Sequence, residues 1–390
     1  MASLVMLSPA PMIERPGNEV ILDVKFVEGM KLHSQLWPGP VRCVMWRGAT
    51  HIDQPMRYSV AQLGFDLVPL DAGARVPDLL LDEAALVYVT ADDMKHLDLP
   101  EAMTGRLGRV VYTVEEPLGG RIAKAMAASP SIRRRLGASW WSLKNEGPLR
   151  QALRRADGIH FDGYPAAEAY RRVNPQHLRY LDNRMRAPMI ARAGEQSDRA
   201  ARLHQGEPLR LAWFGQVDAL SGVEDLIPLA FLLRQRGLAF RLELFGTGPL
   251  EGRLRDGIGA MGLSDVMSLQ PPPPFDPVMV PHLRREADLY LCPRRLSGPQ
   301  STYVEALGCG LPIVGYANRQ WKRMQAESQA GWLVRKGSVA GMARTITRLD
   351  ADRVAVIEAS RRAVDFARAN AFEQVFAKRM NNLRDIAGLE

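Results

Sequence analysis

Short apolar runs rich in β-branched residues alternate with amphipathic stretches along the whole chain. In the first half, these runs predict strands at Leu4–Leu7, Val41–Trp46, Asp66–Leu70, Ala85–Val89, Arg109–Val114 and Ile159–Phe161. The second half repeats the scheme at Arg210–Phe214, Arg241–Phe245, Met267–Leu269, Leu289–Cys292, Pro312–Gly315 and Trp332–Val334. Helical periodicity lies between the runs, as in Asn18–Leu36 and Tyr164–Val173, and residues 351–389 predict two long helices. Such alternation predicts parallel sheets covered by helices on both faces.

The two series of strands predict an α/β protein with two doubly wound, Rossmann-like domains. A chain of 390 residues is too long for one compact core. We expect an N-terminal domain at residues 1–185, a second domain at 209–370 and a C-terminal helix at 371–390. The polar segment 186–208 has no strong periodicity, which indicates a linker. Ligands of such domains bind outside the carboxyl ends of the strands, so we expect a site in an interdomain cleft.

The composition is that of an ordinary globular protein, 46% apolar and 24% charged, which argues against disorder and against a fibrous protein. No apolar run reaches the roughly 18 residues of a membrane-spanning helix. Cys43, Cys292 and Cys309 are widely spaced, which favours packing roles in a reducing cytoplasm. His160 lies within a predicted strand, where a structural role is favoured over ligand contact. The net charge of +8 permits nucleotide phosphates, anionic lipid or nucleic acid as partners and selects none.

Two loops after predicted strands of the second half carry glycines. Gly215, Gln216 and Ser221 follow the first of these strands, and Gly246-Thr247-Gly248-Pro249 follows the second and leads into a helix. Glycine lets backbone N–H groups come close to a ligand, and a helix N-terminus favours an anion. Taken alone, Gly-Thr-Gly-Pro is a weak signal, because a plain strand-to-helix turn has the same sequence pattern.

A third loop is the most informative. Arg294 and Arg295 precede Ser301 and Thr302, which are good N-cap residues for a short helix ending at Gly308–Gly310. A phosphate at that helix terminus would meet backbone donors, hydroxyls and positive charge together. The candidate donor-binding residues of the three loops are Gly215, Gln216, Ser221, Gly246, Thr247, Gly248, Pro249, Arg294, Arg295, Ser297, Gly298, Gln300, Ser301, Thr302 and Glu305.

The order and spacing of these motifs resemble the retaining GT-B glycosyltransferases of family four, from Leu211 to about Lys336. The matching motifs are Gly246-Thr247-Gly248-Pro249, Gly262-Leu263-Ser264-Asp265, Ala287-Asp288, Glu305-Ala306-Leu307-Gly308-Cys309-Gly310-Leu311-Pro312 and Gly331-Trp332-Leu333-Val334. The resemblance implies a UDP-type or GDP-type sugar donor as substrate, no metal, no further cofactor and a glycan or lipid-linked acceptor. It also implies transfer with retention and a donor site in the second domain.

Of the residues that carry the chemistry in this family, one is matched in this sequence and four are replaced. The resemblance gives Glu305 the role of holding the ribose hydroxyls of the nucleotide, which suits a carboxylate. Ser297 stands where the family has a glutamate that contacts the donor sugar. Gln216 and Ser221 stand where it has an arginine and a lysine for the diphosphate. Glu115 stands where a histidine lies near the transferred sugar.

These departures remove positive charge from the site of the leaving diphosphate. We expect Arg294 or Arg295 to replace that charge, although both could be solvated loop residues. Glu115 and Glu116 are candidate catalytic carboxylates, with a surface role as the alternative. Two other functions stay open: a catalytically degenerate scaffold with the same fold, and another GT-B enzyme such as a sugar-nucleotide epimerase.

The segment Arg133–Arg155 is strongly basic, with Glu146 as its one acid, and it contains Trp140 and Trp141. Basic residues interleaved with tryptophan suit the headgroup region of an anionic membrane, and we expect peripheral contact at the inner face. The alternative is a solvated basic helix whose tryptophans turn inward. Nucleic acid is a poorer fit, because no nucleic-acid-binding motif accompanies the charge.

Overall fold

A seven-stranded parallel sheet forms the centre of the first of two structural units in a computed structural model that describes residues 2–49, 51–52, 55–128 and 131–389. The strands of this region are β1 Ser3–Ser8, β2 Ile13–Arg15, β3 Glu19–Asp23, β4 Val41–Trp46, β5 Pro55–Ser59, β6 Asp66–Leu70, β7 Ala84–Thr90, β8 Arg109–Val114, β9 Gly158–Asp162 and β10 His177–Tyr180. The sheet order is β10-β9-β8-β7-β1-β4-β6, so the strand order reverses between β1 and β7. The six strands predicted for this half are confirmed, whereas β2, β3, β5 and β10 were not predicted.

Helices follow most of these strands. They are α1 Val24–Leu36, α2 Asp78–Asp82, α3 Leu99–Ala102, α4 Leu118–Ala128, α5 Ile132–Arg155 and α6 Gly163–Tyr170. The helix predicted over Asn18–Leu36 is wrong in its first part, because residues 19–23 form β3 with an alternating burial pattern. β3 pairs antiparallel with β2 and β5 in a small second sheet. The carboxylate of Asp23 then caps α1 by accepting from the backbone N–H of Phe26 at 3.2 Å.

The second unit contains a six-stranded parallel sheet of order β13-β12-β11-β14-β15-β16. Its strands are β11 Leu209–Phe214, β12 Phe240–Phe245, β13 Met267–Gln270, β14 Leu289–Cys292, β15 Ile313–Tyr316 and β16 Gly331–Val334. Its helices are α7 Ala193–His204, α8 Leu226–Gln235, α9 Glu251–Ala260, α10 Val280–Glu286, α11 Ser301–Gly308, α12 Arg319–Ser328, α13 Val339–Ala351 and α14 Arg353–Ala369. The six predicted strands are confirmed within one or two residues, and the reversal of strand order falls between β11 and β14.

The segment 186–208 differs from the expected linker because it contains helix α7. Two of its charged residues are packed within the protein. Arg199 is 1% exposed, and Glu195 forms a buried ion pair with Arg284, with an N–O distance of 2.8 Å. Charged residues can be buried when they are paired, so this polar sequence forms a packed helix that its polarity did not indicate.

The two units comprise Met1–Ile122, Leu136–Tyr180 and Glu373–Glu390 in the first, and Ala123–Arg135 and Leu181–Phe372 in the second. The two long C-terminal helices are confirmed as α14 and α15 Phe372–Ala387. The last helix packs with the first unit rather than standing apart.

A buried polar cluster attaches α15 to the first unit. The imidazole of His160 lies 2.8 Å from the Oδ1 of Asn382 through its Nε2 and 3.0 Å from the hydroxyl of Tyr88 through its Nδ1. The guanidinium of Arg379 donates to the same Tyr88 hydroxyl at 2.8 Å. Burial lowers the pKa of His160 to about 3. The structural role expected for His160 is confirmed. The three cysteines are buried, in agreement with the packing roles expected for them.

Candidate functional site

The carboxyl ends of β11 and β14 mark the point in the second unit where the strand order reverses. Open α/β sheets bind ligands at such a point, because the loops that follow the two strands diverge and leave a crevice. Here the loop after β11 approaches the start of the loop after β14. A Cβ atom at Gly222 would lie 2.2 Å from the carbonyl oxygen of Pro293, and Gly222 has a φ of +72°. Glycine is therefore required at this contact.

The glycines of the loop after β12 are needed for contacts between loops. A Cβ atom at Gly246 would lie 2.2 Å from the carbonyl oxygen of Gly215, and one at Gly248 would lie 2.5 Å from that of Val217. Val217 also donates its backbone N–H to the carbonyl of Thr247 at 2.9 Å. We expected these glycines to let backbone groups approach a ligand. In the structure, they instead allow the close approach of a neighbouring loop.

The side chains of these loops fall into two groups. Gln216, Thr247 and Pro249 are exposed at the rim. Ser221 is buried and closes a turn, with its hydroxyl donating to the carbonyl of Asp218 at 2.7 Å. Ser297 is also used within the protein, since its hydroxyl accepts from the backbone N–H of Arg319 at 3.2 Å. The two serines at family-motif positions thus serve loop structure here.

Helix α11 starts at Ser301, directly after the loop that follows β14. Ser301 and Thr302 are not its N-caps, as the sequence suggested, but its first two residues. Gln300 occupies the N-cap position with extended backbone and makes no side-chain cap hydrogen bond. The first backbone N–H groups of a helix have no partner within the helix. They are therefore the natural donors for an anion at the crevice.

The two arginines of the loop have different surroundings. Arg295 is exposed and its Nη2 donates to both carboxylate oxygens of Asp225, at 2.9 and 2.6 Å. This hydrogen bonding raises the pKa of Arg295. Arg294 is buried, and its Nε has no hydrogen-bond partner among the described residues. Of the two, Arg294 is therefore the better candidate for binding an anion.

Glu305 lies one turn into α11 and is completely buried. Its carboxylate accepts from Arg184 through two contacts, Nε to Oε1 at 3.0 Å and Nη2 to Oε2 at 3.3 Å. Arg184 was not predicted, because 121 residues separate the partners and nothing local in the sequence connects them. The carboxylate expected to hold a ribose is thus held by the protein's own arginine.

In the first unit, the candidate carboxylates Glu115 and Glu116 follow β8 and differ in exposure. Glu115 is exposed, while Glu116 is buried and packs against Gly120, where a Cβ atom would lie 2.1 Å from its Oε2. Asp92, after β7, accepts the backbone N–H groups of Glu115 and Glu116 at 2.8 and 3.1 Å. Burial raises the pKa of Asp92. Asp92 was missed by the sequence analysis, although it follows a predicted strand.

The geometry of the second unit can be compared with known proteins. The profile of the family described as glycosyl transferases group 1 matches residues 208–352. This part of the chain is similar to that family. The matched segment holds the three loops and helix α11, so the group 1 glycosyltransferase match covers every candidate donor-binding residue.

Two curated relatives and one solved structure are similar to this chain. The amylovoran biosynthesis glycosyltransferase AmsK of Erwinia amylovora is 28% identical over 172 residues, which are 42% of this chain and 41% of AmsK. The 2-deoxystreptamine N-acetyl-D-glucosaminyltransferase of Streptomyces fradiae is 26% identical over 224 residues, covering 55% of this chain and 51% of that protein. HepE of Anabaena, solved in complex with UDP, has a TM-score of 0.69 at 12% identity with full coverage of both chains.

The alignments thus span about half the length of these curated relatives or less. The structural similarity to HepE, at low identity, establishes the fold: two Rossmann-like α/β units of the GT-B class. The predicted fold class is confirmed, as is the resemblance to group 1 glycosyltransferases.

Arg199 of α7 fixes the end of α11 that lies opposite to the crevice. It precedes the segment 208–352 that matches the family. Its guanidinium donates to backbone carbonyls at the ends of two helices. The acceptors are Ala287 at 2.9 Å, Arg284 at 2.8 Å, Cys309 at 3.0 Å and Gly310 at 2.9 Å. Carbonyls at a helix C-terminus carry partial negative charge, which a buried cation complements. Burial lowers the pKa of Arg199 to about 10, so it stays charged at neutral pH.

The basic segment predicted to contact a membrane forms α5, and its tryptophans are exposed. Ile132, Leu136, Trp140 and Leu143 lie at helical spacing and are 71%, 62%, 70% and 50% exposed. The alternative with inward-facing tryptophans is wrong for Trp140 and for the neighbouring Trp141, which is 48% exposed. Within the described ranges, no helix is both long and apolar enough to cross a membrane.

Proposed function

We propose that this protein is a glycosyltransferase that binds a nucleoside diphosphate sugar through its second unit. It transfers the sugar with retention to a glycan or lipid-linked acceptor in polysaccharide synthesis. The observation that carries the proposal is the convergence of three family loops and the start of α11 where the strand order of the sheet reverses. The name of AmsK and the UDP complex of HepE support the reaction class and the donor class.

In this proposal, the start of α11 and the side chain of Arg294 stabilise the departing diphosphate. Negative charge grows on the leaving group as the glycosidic bond breaks, and donors already in place cost no reorganisation. Arg294 supplies the positive charge that is missing at positions 216 and 221, where glutamine and serine replace the arginine and lysine of the family. Arg295 contributes less, because Asp225 already neutralises it.

The first unit supplies the acceptor side. Glu115 is the exposed carboxylate after β8 and is the candidate to accept the proton of the acceptor hydroxyl. Asp92 holds the backbone of this turn through two hydrogen bonds and thereby fixes where the Glu115 side chain starts. Glu116 is buried and has a structural role in this scheme.

Calorimetric titration with UDP, GDP and their sugar conjugates tests donor binding. We expect Arg294→Met to weaken binding of the preferred nucleotide roughly tenfold or more, because a charged hydrogen bond in a buried site is lost. Arg295→Met is the matched control, and its affinity should stay within about threefold of the unchanged protein, since its charge is already paired. Unchanged binding in both variants would reject the diphosphate role of this loop.

Turnover is measured separately, as release of nucleoside diphosphate that depends on an added acceptor. Nucleotide binding without any acceptor-dependent release across a panel of glycans and lipid-linked glycans would favour a scaffold. Release of an isomerised sugar nucleotide in the absence of acceptor would favour an epimerase.

The exposed face of α5 serves, in the same proposal, as the contact with an anionic membrane that carries the acceptor. Arg133, Arg134 and Lys144 are exposed beside its apolar stripe, which matches a negatively charged headgroup layer. Sedimentation with phosphatidylglycerol vesicles at low salt tests this contact. Trp140→Ala should reduce binding, whereas Leu107→Ala, at a residue 97% exposed outside the helix, should leave it unchanged. Equal sedimentation of the two variants would contradict the proposal.

A further inference from the structure

The complete burial of Glu305 conflicts with a simple ribose-binding role. The residue is 0% exposed, so no ligand hydroxyl can touch its carboxylate in the present arrangement. Both of its oxygens face the guanidinium of Arg184. A ribose presents two adjacent hydroxyls, and these can reach the buried oxygens only if the Arg184 guanidinium moves aside. A nucleotide and Arg184 therefore compete for one carboxylate.

The backbone around Arg184 is held in place. Met185 donates its N–H to the side chain of Asn183 at 2.8 Å and accepts from the backbone of Phe372 at 2.9 Å. The Met185 side chain also lies against Gly308, where a Cβ atom would be 2.5 Å from it. The chain thus runs along α11, with Met185 on Gly308 and Arg184 on Glu305, one turn apart. Release of Glu305 therefore requires movement of the Arg184 side chain.

The Arg184 side chain is partly open to solvent. It is 24% exposed, whereas its partner is fully buried. Its guanidinium stacks on the ring of Phe275, with 4.0 Å from the Cζ atom to the ring centroid. Stacking of a cation on an aromatic face needs no carboxylate, so Phe275 can support the guanidinium after it leaves Glu305.

We propose that Arg184 sets the nucleotide affinity of the donor site by occupying Glu305 until ribose hydroxyls replace it. This inference rests on the proposed function. Arg184 neutralises a buried carboxylate in the unliganded protein, and the ribose takes over its two acceptor positions on binding. Binding of the nucleotide must break the charged, two-point contact between Arg184 and Glu305. The ribose therefore contributes less to affinity than it would if the Glu305 carboxylate were unoccupied.

The test compares Arg184→Gln with Arg186→Gln at pH 8. Arg186 lies two residues further along and pairs with exposed Asp276 at 3.1 Å, so its variant is a matched loss of charge. Each protein is titrated with UDP, GDP and their 2′,3′-dideoxy counterparts by calorimetry. Arg184→Gln should raise the preference for ribose over dideoxyribose by about tenfold, because the competitor is gone. Arg186→Gln should leave that preference unchanged. A general structural effect would change the affinities for both sugars equally.

Thermal unfolding identifies variants that do not fold, and Arg184→Lys then decides the question. Lysine keeps the charge and lacks the two-point fork, so it should raise the ribose preference by a smaller factor. An unchanged or lowered preference in the folded variants would overturn the role of Arg184 while leaving nucleotide binding intact. Absence of nucleotide binding in all proteins, including the unchanged one, would overturn the proposed function itself.

Discussion

Replacing Arg199 by methionine tests how the protein holds the end of helix α11. The substitution keeps an unbranched apolar chain and removes the guanidinium with its hydrogen bonds to four backbone carbonyls. The hydroxyl of Ser360 still donates to Gly310 at 2.7 Å, which leaves three buried carbonyls without their arginine donor. At about 1–2 kcal/mol for each of the three unsatisfied acceptors, we expect a loss of about 3–6 kcal/mol. A domain is stable by only about 5–15 kcal/mol, so this loss is large.

Urea unfolding followed by tryptophan fluorescence measures this loss in the second unit, where Trp213 and Trp321 are buried. Arg344→Met is the control, because Arg344 is exposed on α13 and its loss should change stability by less than about 0.5 kcal/mol. A cost below about 1 kcal/mol for Arg199→Met would show that water or relaxation satisfies the carbonyls, and that the arginine does not hold the end of α11.

Three further predictions follow from local geometry. Gly246→Ala should prevent the close approach of the loops after β11 and β12 and lower the melting temperature by several degrees, whereas Gly252→Ala, in open space on α9, should raise it slightly. His160 stays neutral when folded, with a pKa of about 3 against an ordinary 6.5, so the native state binds fewer protons than the unfolded chain. Stability should therefore be lost as pH falls from about 6.5 towards 3, and His160→Gln should flatten that dependence in acid titrations followed by circular dichroism. Asp92→Asn should lower transferase kcat with little change in donor affinity, as measured by steady-state kinetics, because Asp92 fixes the turn that carries Glu115.

The fold could be predicted largely from hydrophobic patterning. Strands such as β8 and β14 are buried along most of their length and read as continuous apolar runs, which is typical of parallel sheets. The pattern failed where burial depends on partners far along the chain. Helix α7 was missed because Glu195 and Arg199 appear polar, and only Arg284 and the helix ends reached by Arg199 explain how they are buried.

The candidate site was predicted at the level of loops and only partly at the level of side chains. Spacing in the family motif located the start of α11 and Glu305, because both depend on local sequence. It did not distinguish Arg294 from Arg295, since the pairing partner Asp225 lies 70 residues away. Arg184 was not predicted for the same reason. A sequence shows which residues are neighbours along the chain, whereas the competition for Glu305 arises from folding.

We propose above all that a nucleoside diphosphate binds at the first turn of α11. A crystal structure determined with UDP or GDP at saturating concentration tests it most directly. Phosphate oxygens should lie within hydrogen-bond distance of the backbone N–H groups of Ser301 and Thr302, with ribose hydroxyls on Glu305 and the Arg184 guanidinium moved off it. Nucleotide bound elsewhere, or a first turn without phosphate while Arg184 still holds Glu305, would contradict it.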